Sequence, residues 1–215
     1  NNDINPFIDL YEKVLLPSES WEDYNLVGIS IVGISQILPG LTLARLLKEK
    51  YPHLHITLGG PIFSVNSKQL MGHPEFFQEF CDSIVTFEGE EPLHRLLTTL
   101  KNGSTLKSVP NLIFYEDEKI EFNEERVELR FEEMPPPTFD GLPLDLYLSP
   151  YPILPVLQSR GCYWGKCTFC THSFIYGHRY GKQRTEQMVD ELESLGKKYK
   201  TKYFTFSDEA VSPHS

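Results

Sequence analysis

Cysteine is scarce in this chain, with four in 215 residues, too few for the disulfide framework of a small secreted scaffold. Long apolar runs are missing as well. No stretch approaches the roughly 20 residues that cross a bilayer, and the opening Asn1-Asn2-Asp3-Ile4-Asn5-Pro6 lacks the basic and apolar build of a secretory signal. Positive charge is in deficit: 20 Lys and Arg face 30 Asp and Glu, a formal charge of −10. That balance opposes a sequence-independent grip on phosphate backbones, so no nucleic-acid partner is expected. No internal repeat or low-complexity tract occurs, and the absence of an initiator Met leads us to expect a fragment or processed form. What cysteine there is lies concentrated. Cys162, Cys167 and Cys170 fall within nine residues, which suits a metal site in a reducing compartment and makes a cytoplasmic location the default expectation.

The 40% hydrophobic and 23% charged composition is that of a globular chain of one or two domains. Phe7, Ile8, Leu10, Tyr11, Val14 and Leu15 recur at helical spacing and predict an amphipathic helix that ends near Pro17 and covers a sheet. Leu26 to Val32 reads as a strand, about Gly40 to Tyr51 as a helix, and Leu54 to Leu58 as a second strand before Gly59-Gly60. A helix over Pro74 to Phe80, a strand over Ser83 to Phe87 and a helix over Glu91 to Leu100 continue the alternation, which predicts a parallel, doubly wound sheet. Asn111 to Tyr115 and Lys119 to Phe122, around Glu116-Asp117-Glu118, predict a closing hairpin. Cys81 reads as a buried apolar residue.

Seven prolines between Glu132 and Pro155 block long helices and central strands, so 126–154 is expected to connect a domain over 1–125 to a second over 155–215. In the latter, Pro155 to Ser159 predicts a strand, Thr185 to Tyr199 a helix burying Met188, Val189, Leu192 and Leu195, and Tyr203 to Phe206 another strand. The β-α-β pattern has returned.

Between them lies Gly161-Cys-Tyr-Trp-Gly-Lys-Cys-Thr-Phe-Cys170, a C-x4-C-x2-C spacing. Three thiolates on one loop suit three irons of a cubane cluster and leave the fourth open to a small molecule. They also suit zinc, with His172 or His178 as a fourth ligand.

The run Ser159-Arg-Gly-Cys-Tyr-Trp-Gly-Lys-Cys-Thr-Phe-Cys170 resembles the cluster loop of radical S-adenosylmethionine enzymes, especially those with an N-terminal cobalamin-binding-type domain. The usual spacing there is C-x3-C-x2-C, so this chain carries one extra residue. The resemblance implies a Rossmann-like, cobalamin-binding-type α/β sheet followed by the first β-α-β part of an α/β barrel. It implies a 4Fe-4S cluster on the three cysteines, S-adenosylmethionine chelated at the open iron, and reductive cleavage to a 5′-deoxyadenosyl radical, with methyl transfer or rearrangement as the overall reaction; a zinc-stabilised binding module and a non-catalytic cobalamin-type sensor or scaffold are the alternatives. An electron donor such as flavodoxin or ferredoxin follows, and the substrate class stays open. Phe169 matches the aromatic beside the cofactor adenine. Asp208 and Glu209 stand where acidic groups contact the amino or ribose groups of the cofactor, though an ordinary solvated loop would carry the same residues. His178 to Arg184 gathers positive charge that could hold a carboxylate or simply face solvent.

In the first domain, Ser30, Gly59-Gly60 and Glu88-Gly89-Glu90 sit at or near the carboxyl ends of the expected strands, where open α/β sheets bind ligands, and resemble the serine, double-glycine and acidic-glycine positions of cobalamin-binding-type domains. Strand-to-helix turns use the same residues. Cobalamin stays the less secured cofactor, because no histidine of the seven falls in a D-x-H-x-x-G sequence. The first strand of that domain is expected to lie upstream. Only 61 residues run from Pro155 to Ser215, against about 200 for a complete barrel, so most of the barrel is expected to be absent from this chain.

Overall fold

The computed structural model describes residues 5–125, 127, 130–176 and 179–210. It divides into two compact units, Asn1–Val127 and Glu128–Ser215.

In the first unit five strands pair in the order β1 (Leu26–Ser30), β2 (His55–Gly59), β3 (Ser83–Val85), β4 (Leu112–Glu116) and β5 (Lys119–Phe122). The first three are parallel. β4 and β5 run antiparallel, so the sheet is mixed, and the hairpin turn between them places Asp117 and Glu118 at φ 50° and 59°, the left-handed pair that matches strand twist.

Helices cover both faces. On one, α2 (Ile37–Lys50) and α5 (Pro74–Phe80) close a core of Leu47, Ile56, Leu58, Phe77, Ile84 and Ile113. On the other, α6 (Glu90–Asn102) packs Leu96 over Val85, Leu112 and Phe114. Each of these side chains contributes about 1.5–3 kcal/mol by leaving water. Two short helices, α3 (Pro61–Val65) and α4 (Ser67–Leu70), lie between β2 and α5. Cys81 is buried at the end of α5, and burial pushes its thiol pKa far up, leaving an inert thiol.

The amino-terminal helix α1 (Pro6–Leu10) continues through a π-helical turn, Tyr11–Leu15, into Leu16–Ser18. Pro17 cannot donate an amide hydrogen and its ring crowds the carbonyl four residues back, and a widened turn relieves both. Two expectations fail here. Leu10 and Val14 are half exposed, because the wide turn rotates the inward face to Tyr11, Leu15 and Leu16; and the helix packs on α2, with Asn5 Nδ2 donating to Thr42 Oγ1 at 2.8 Å, instead of directly on the sheet.

In the second unit β6 (Ile153–Val156) and β9 (Tyr203–Phe206) pair in parallel, joined through α8 (Thr185–Tyr199). Leu154, Val156, Met188 and Leu195 form its core, with Phe139 and Leu144 of the proline-rich stretch packed against it. Val189, expected inside, is 49% exposed because it falls beyond the stripe set by Met188, Leu192 and Leu195. A second ladder, β7 (Ser159–Gly161) with β8 (Tyr180–Lys182), is antiparallel. It was not foreseen: three-residue strands carry almost no periodicity.

At the amino-terminal edge of β2 and β3, His55 Nε2 lies 2.8 Å from Ser83 Oγ, which donates to Thr57 Oγ1 at 3.0 Å. Burial holds the His55 pKa below the usual imidazole range; Asp82 opposes the shift and Lys48 reinforces it. The folded chain therefore binds this proton less readily than the unfolded one. Stability is expected to rise as pH passes upward through about 6.5 and to fall on acidification below it. Urea denaturation at pH 5 and 7 should show that slope, and His55→Gln should flatten it.

Candidate functional site: a cleft at the strand ends and a thiol loop

The parallel register sets Ser30 against Gly59 and Gly59 against Val85, so three strands end at one level. Their carboxyl ends floor a cleft of about 430 Å³ lined by Gly28, Ser30, Thr57, Gly59, Gly60, Phe87, Gly89, Glu90 and Leu93 among others. Of the residues singled out from sequence, the cleft brings together Ser30, Gly59, Gly60, Gly89 and Glu90. Glu88 is half-buried in the adjoining turn and does not contribute to the wall.

Gly60 is the tightest point. At φ +114° a Cβ would fall 2.2 Å from the Ile31 carbonyl oxygen, so the chain can leave β2 over the β1 loop only without a side chain. Gly28 meets nothing nearer than Thr57 Cγ2 at 3.7 Å. A side chain there would occupy the cleft floor, and a lone glycine inside a strand is the local signal for such a site. Phe87 was not foreseen. It holds φ 60°, a left-handed conformation costing about 1–2 kcal/mol for a residue with a side chain, and its amide donates to the buried Ser64 Oγ at 2.7 Å. Leu93 is 37% exposed because it faces this cleft and not the core.

In the second unit Cys162 leaves β7 directly, and the loop returns through α7 (His172–Ile175) to β8. The β7–β8 ladder closes its neck. Gly161 sits at φ +85° with the Arg179 carbonyl oxygen 2.2 Å from where a Cβ would be, and Phe131 backs Gly181 and lies under the Arg160 guanidinium at 5.6 Å. All three thiols are free, Cys167 exposed and Cys162 and Cys170 half-buried; the Cys170 amide donates to the Cys167 carbonyl at 3.2 Å. Among the described residues no three His, Cys, Asp or Glu side chains stand close enough to hold a metal as they are. The donor set nonetheless fits a soft metal centre: thiols on one accessible loop, with no disulfide between them.

Asp208 and Glu209 come to the same neck. Asp208 accepts from the Ser159 amide at 2.6 Å, the Ser159 hydroxyl at 2.5 Å and the Gln158 amide at 3.2 Å. Glu209 accepts from the Gly161 amide at 3.2 Å and lies 3.8 Å from His172 Nδ1. Phe169 is 88% exposed and touches no aromatic ring among the described residues. The basic stretch is part strand, in β8, and Gln183 is buried on Glu191; His178 lies outside the described residues.

No family model matches the chain. It is 29% identical over 195 residues to an uncharacterized methyltransferase of Pyrococcus horikoshii, covering 88% of this chain and 40% of that protein. It is 25% identical over 202 residues to the hopanoid C-3 methylase of Methylococcus capsulatus, covering 87% and 35%. The chain thus spans well under half of the curated relatives it matches. Among solved structures, the cobalamin-dependent S-adenosylmethionine radical enzyme OxsB with aqua-cobalamin bound superposes with TM-score 0.67 at 24% identity, over 94% of this chain and 27% of OxsB. The radical S-adenosylmethionine methyltransferase TsrM from Kitasatospora setae, with cobalamin and a 4Fe-4S cluster bound, gives 0.58 at 18% identity, over 95% and 40%. The α/β fold is shared with these enzymes, and the resemblance drawn from the cysteine loop extends over nearly the whole chain. Among the described residues no helix is long and apolar enough to cross a membrane.

The glycine requirement can be measured. Gly60→Ala should lower stability by about 2 kcal/mol or more through its clash and positive φ, whereas Gly59→Ala, with the Val85 carbonyl at 3.7 Å, should cost less than about 1 kcal/mol. Urea midpoints of the two variants decide it.

Proposed function

We propose that this chain forms the cobalamin-binding-type unit and the cluster loop of a radical S-adenosylmethionine enzyme whose overall reaction is methyl transfer. The observation that carries the reading is the C-x4-C-x2-C loop leaving the carboxyl side of a β-α-β unit through a closed neck, in a chain whose relatives are methyltransferases. Cys162, Cys167 and Cys170 would hold a 4Fe-4S cluster, which when bound supplies one electron for cleaving the sulfonium of S-adenosylmethionine.

Phe169, exposed beside Cys170, offers a flat apolar face for the adenine. In the other unit, Gly28, Ser30, Gly59, Gly60 and Gly89 would admit cobalamin: their bare backbone lets a broad ligand approach the strand ends, and the Ser30 hydroxyl can hydrogen-bond a polar arm. No histidine lines the cleft among the described residues, so binding would rest on shape and hydrogen bonds without an imidazole on cobalt. The electron would come from a donor such as flavodoxin or ferredoxin, and a reducing cytoplasm suits the free thiols. Zinc on the three thiols with His172 as fourth ligand is the second reading, since Glu209 faces only the Nδ1 of that ring and leaves Nε2 for a metal.

Anaerobic reconstitution with iron and sulfide, followed by metal analysis, tests this. About four irons per chain are expected, lost on Cys167→Ala; a colourless protein with one zinc per chain would overturn the reading. Saturable aqua-cobalamin uptake, followed by its visible spectrum, should weaken at least tenfold in Gly28→Leu, which fills the cleft floor.

A further inference from the structure

Resting on the reading of residues 162–170 as a cluster loop, we infer that Asp208 is a positioning residue that grips the neck of that loop, not a contact to a bound cofactor, and that Glu209 adds a second hold at Gly161. The argument begins with strand geometry. The Ser207 amide donates to the Val156 carbonyl at 2.9 Å, extending the β6–β9 ladder by one step, so the backbone immediately before Asp208 is fixed. From there both oxygens of Asp208 are taken up. Oδ1 accepts the amide and the hydroxyl of Ser159, and Oδ2 accepts the amide of Gln158.

The Gln158 carbonyl in turn accepts from the Gln183 amide at 2.9 Å, which ties the same peptide to the chain leaving β8. Glu209 repeats the pattern one step along. Its Oε2 accepts the Gly161 amide, next to Cys162, and its Oε1 faces His172, the first residue of α7 after the last cysteine. Two consecutive carboxylates thus hold the entry of the thiol loop, and Glu209 also faces its exit at His172. Three charge-assisted donors take three of the roughly four acceptor positions of the Asp208 carboxylate, so its charge is committed mainly to holding backbone.

The experiment uses metal-free and reconstituted forms of the same protein. Hydrogen exchange of the metal-free protein, resolved over 158–161 and over α8, is compared for wild type, Asp208→Asn and Ser159→Ala. Asp208→Asn keeps the shape and removes the charge; Ser159→Ala removes a single donor and guards against a variant that fails to fold. Expected is a rise of about tenfold or more in exchange at 158–161 for Asp208→Asn, less for Ser159→Ala, with α8 unchanged.

After reconstitution, Asp208→Asn should hold less iron and show an altered electron paramagnetic resonance signal for the reduced cluster, while its loaded fraction binds S-adenosylmethionine with unchanged Kd by calorimetry. Unchanged exchange in both variants overturns the inference, as does a tenfold loss of S-adenosylmethionine affinity with the neck still protected. A wild-type protein that takes up no iron while Asp208→Asn still loosens the neck overturns the function proposed above and supports the positioning role by itself.

Discussion

The cleft depends on one constraint, the parallel register that aligns Ser30 with Gly59 and Gly59 with Val85. A shift of one residue along any of these strands would exchange its two faces, sending Ile56 and Leu58 out of the core they share with α2 and α5. The hydrophobic pattern therefore enforces the level at which the strands end, and the chain must turn away from all three at the same height. Gly60 and Phe87 absorb that demand with left-handed backbone. Gly60 does so at no steric cost, whereas Phe87 requires the hydrogen bond from its amide to Ser64 and the surrounding packing to hold it.

The second unit meets a similar demand with charge instead of glycine alone. A nine-residue thiol segment that is largely exposed has few apolar contacts to order it, and fixing its backbone costs about 1–2 kcal/mol per residue. Closing the segment at its base confines that cost to the tip. The β7–β8 ladder, the close passage of Gly161 under Arg179 and the carboxylates after β9 all act at the base. The tip needs no packing of its own.

Much of this was legible in advance. Pro74–Phe80, Thr185–Tyr199 and Tyr203–Phe206 fall where periodicity and proline punctuation put them, since long amphipathic stretches average over local exceptions. The cysteine spacing and the glycines at strand ends marked both parts of the candidate site. What escaped were features decided by single backbone conformations or by partners distant in sequence. Phe87 looks like the end of an apolar strand, and nothing local shows that Ser64 will turn it. Ser159 and Asp208 lie 49 residues apart, and only the parallel pairing of β6 with β9 brings them together. Leu93 and Leu97 share a helical period with the buried Leu96, so period alone could not tell a core position from a cleft wall.

The candidate site residues in both units follow one geometric rule, since each parallel β-α-β arrangement delivers its loops from the carboxyl ends of its strands. The chemistry they offer differs. The cleft presents small residues and bare backbone, which recognise shape and tolerate a large ligand but supply little charge. The loop presents thiols, which bind soft metals and need deprotonation to do so. The chain's excess of acid over base works against placing further negative groups beside such thiols. Asp208 and Glu209 are acceptable there because amide and hydroxyl groups of the neck donate to their oxygens, so much of their charge is engaged by the scaffold.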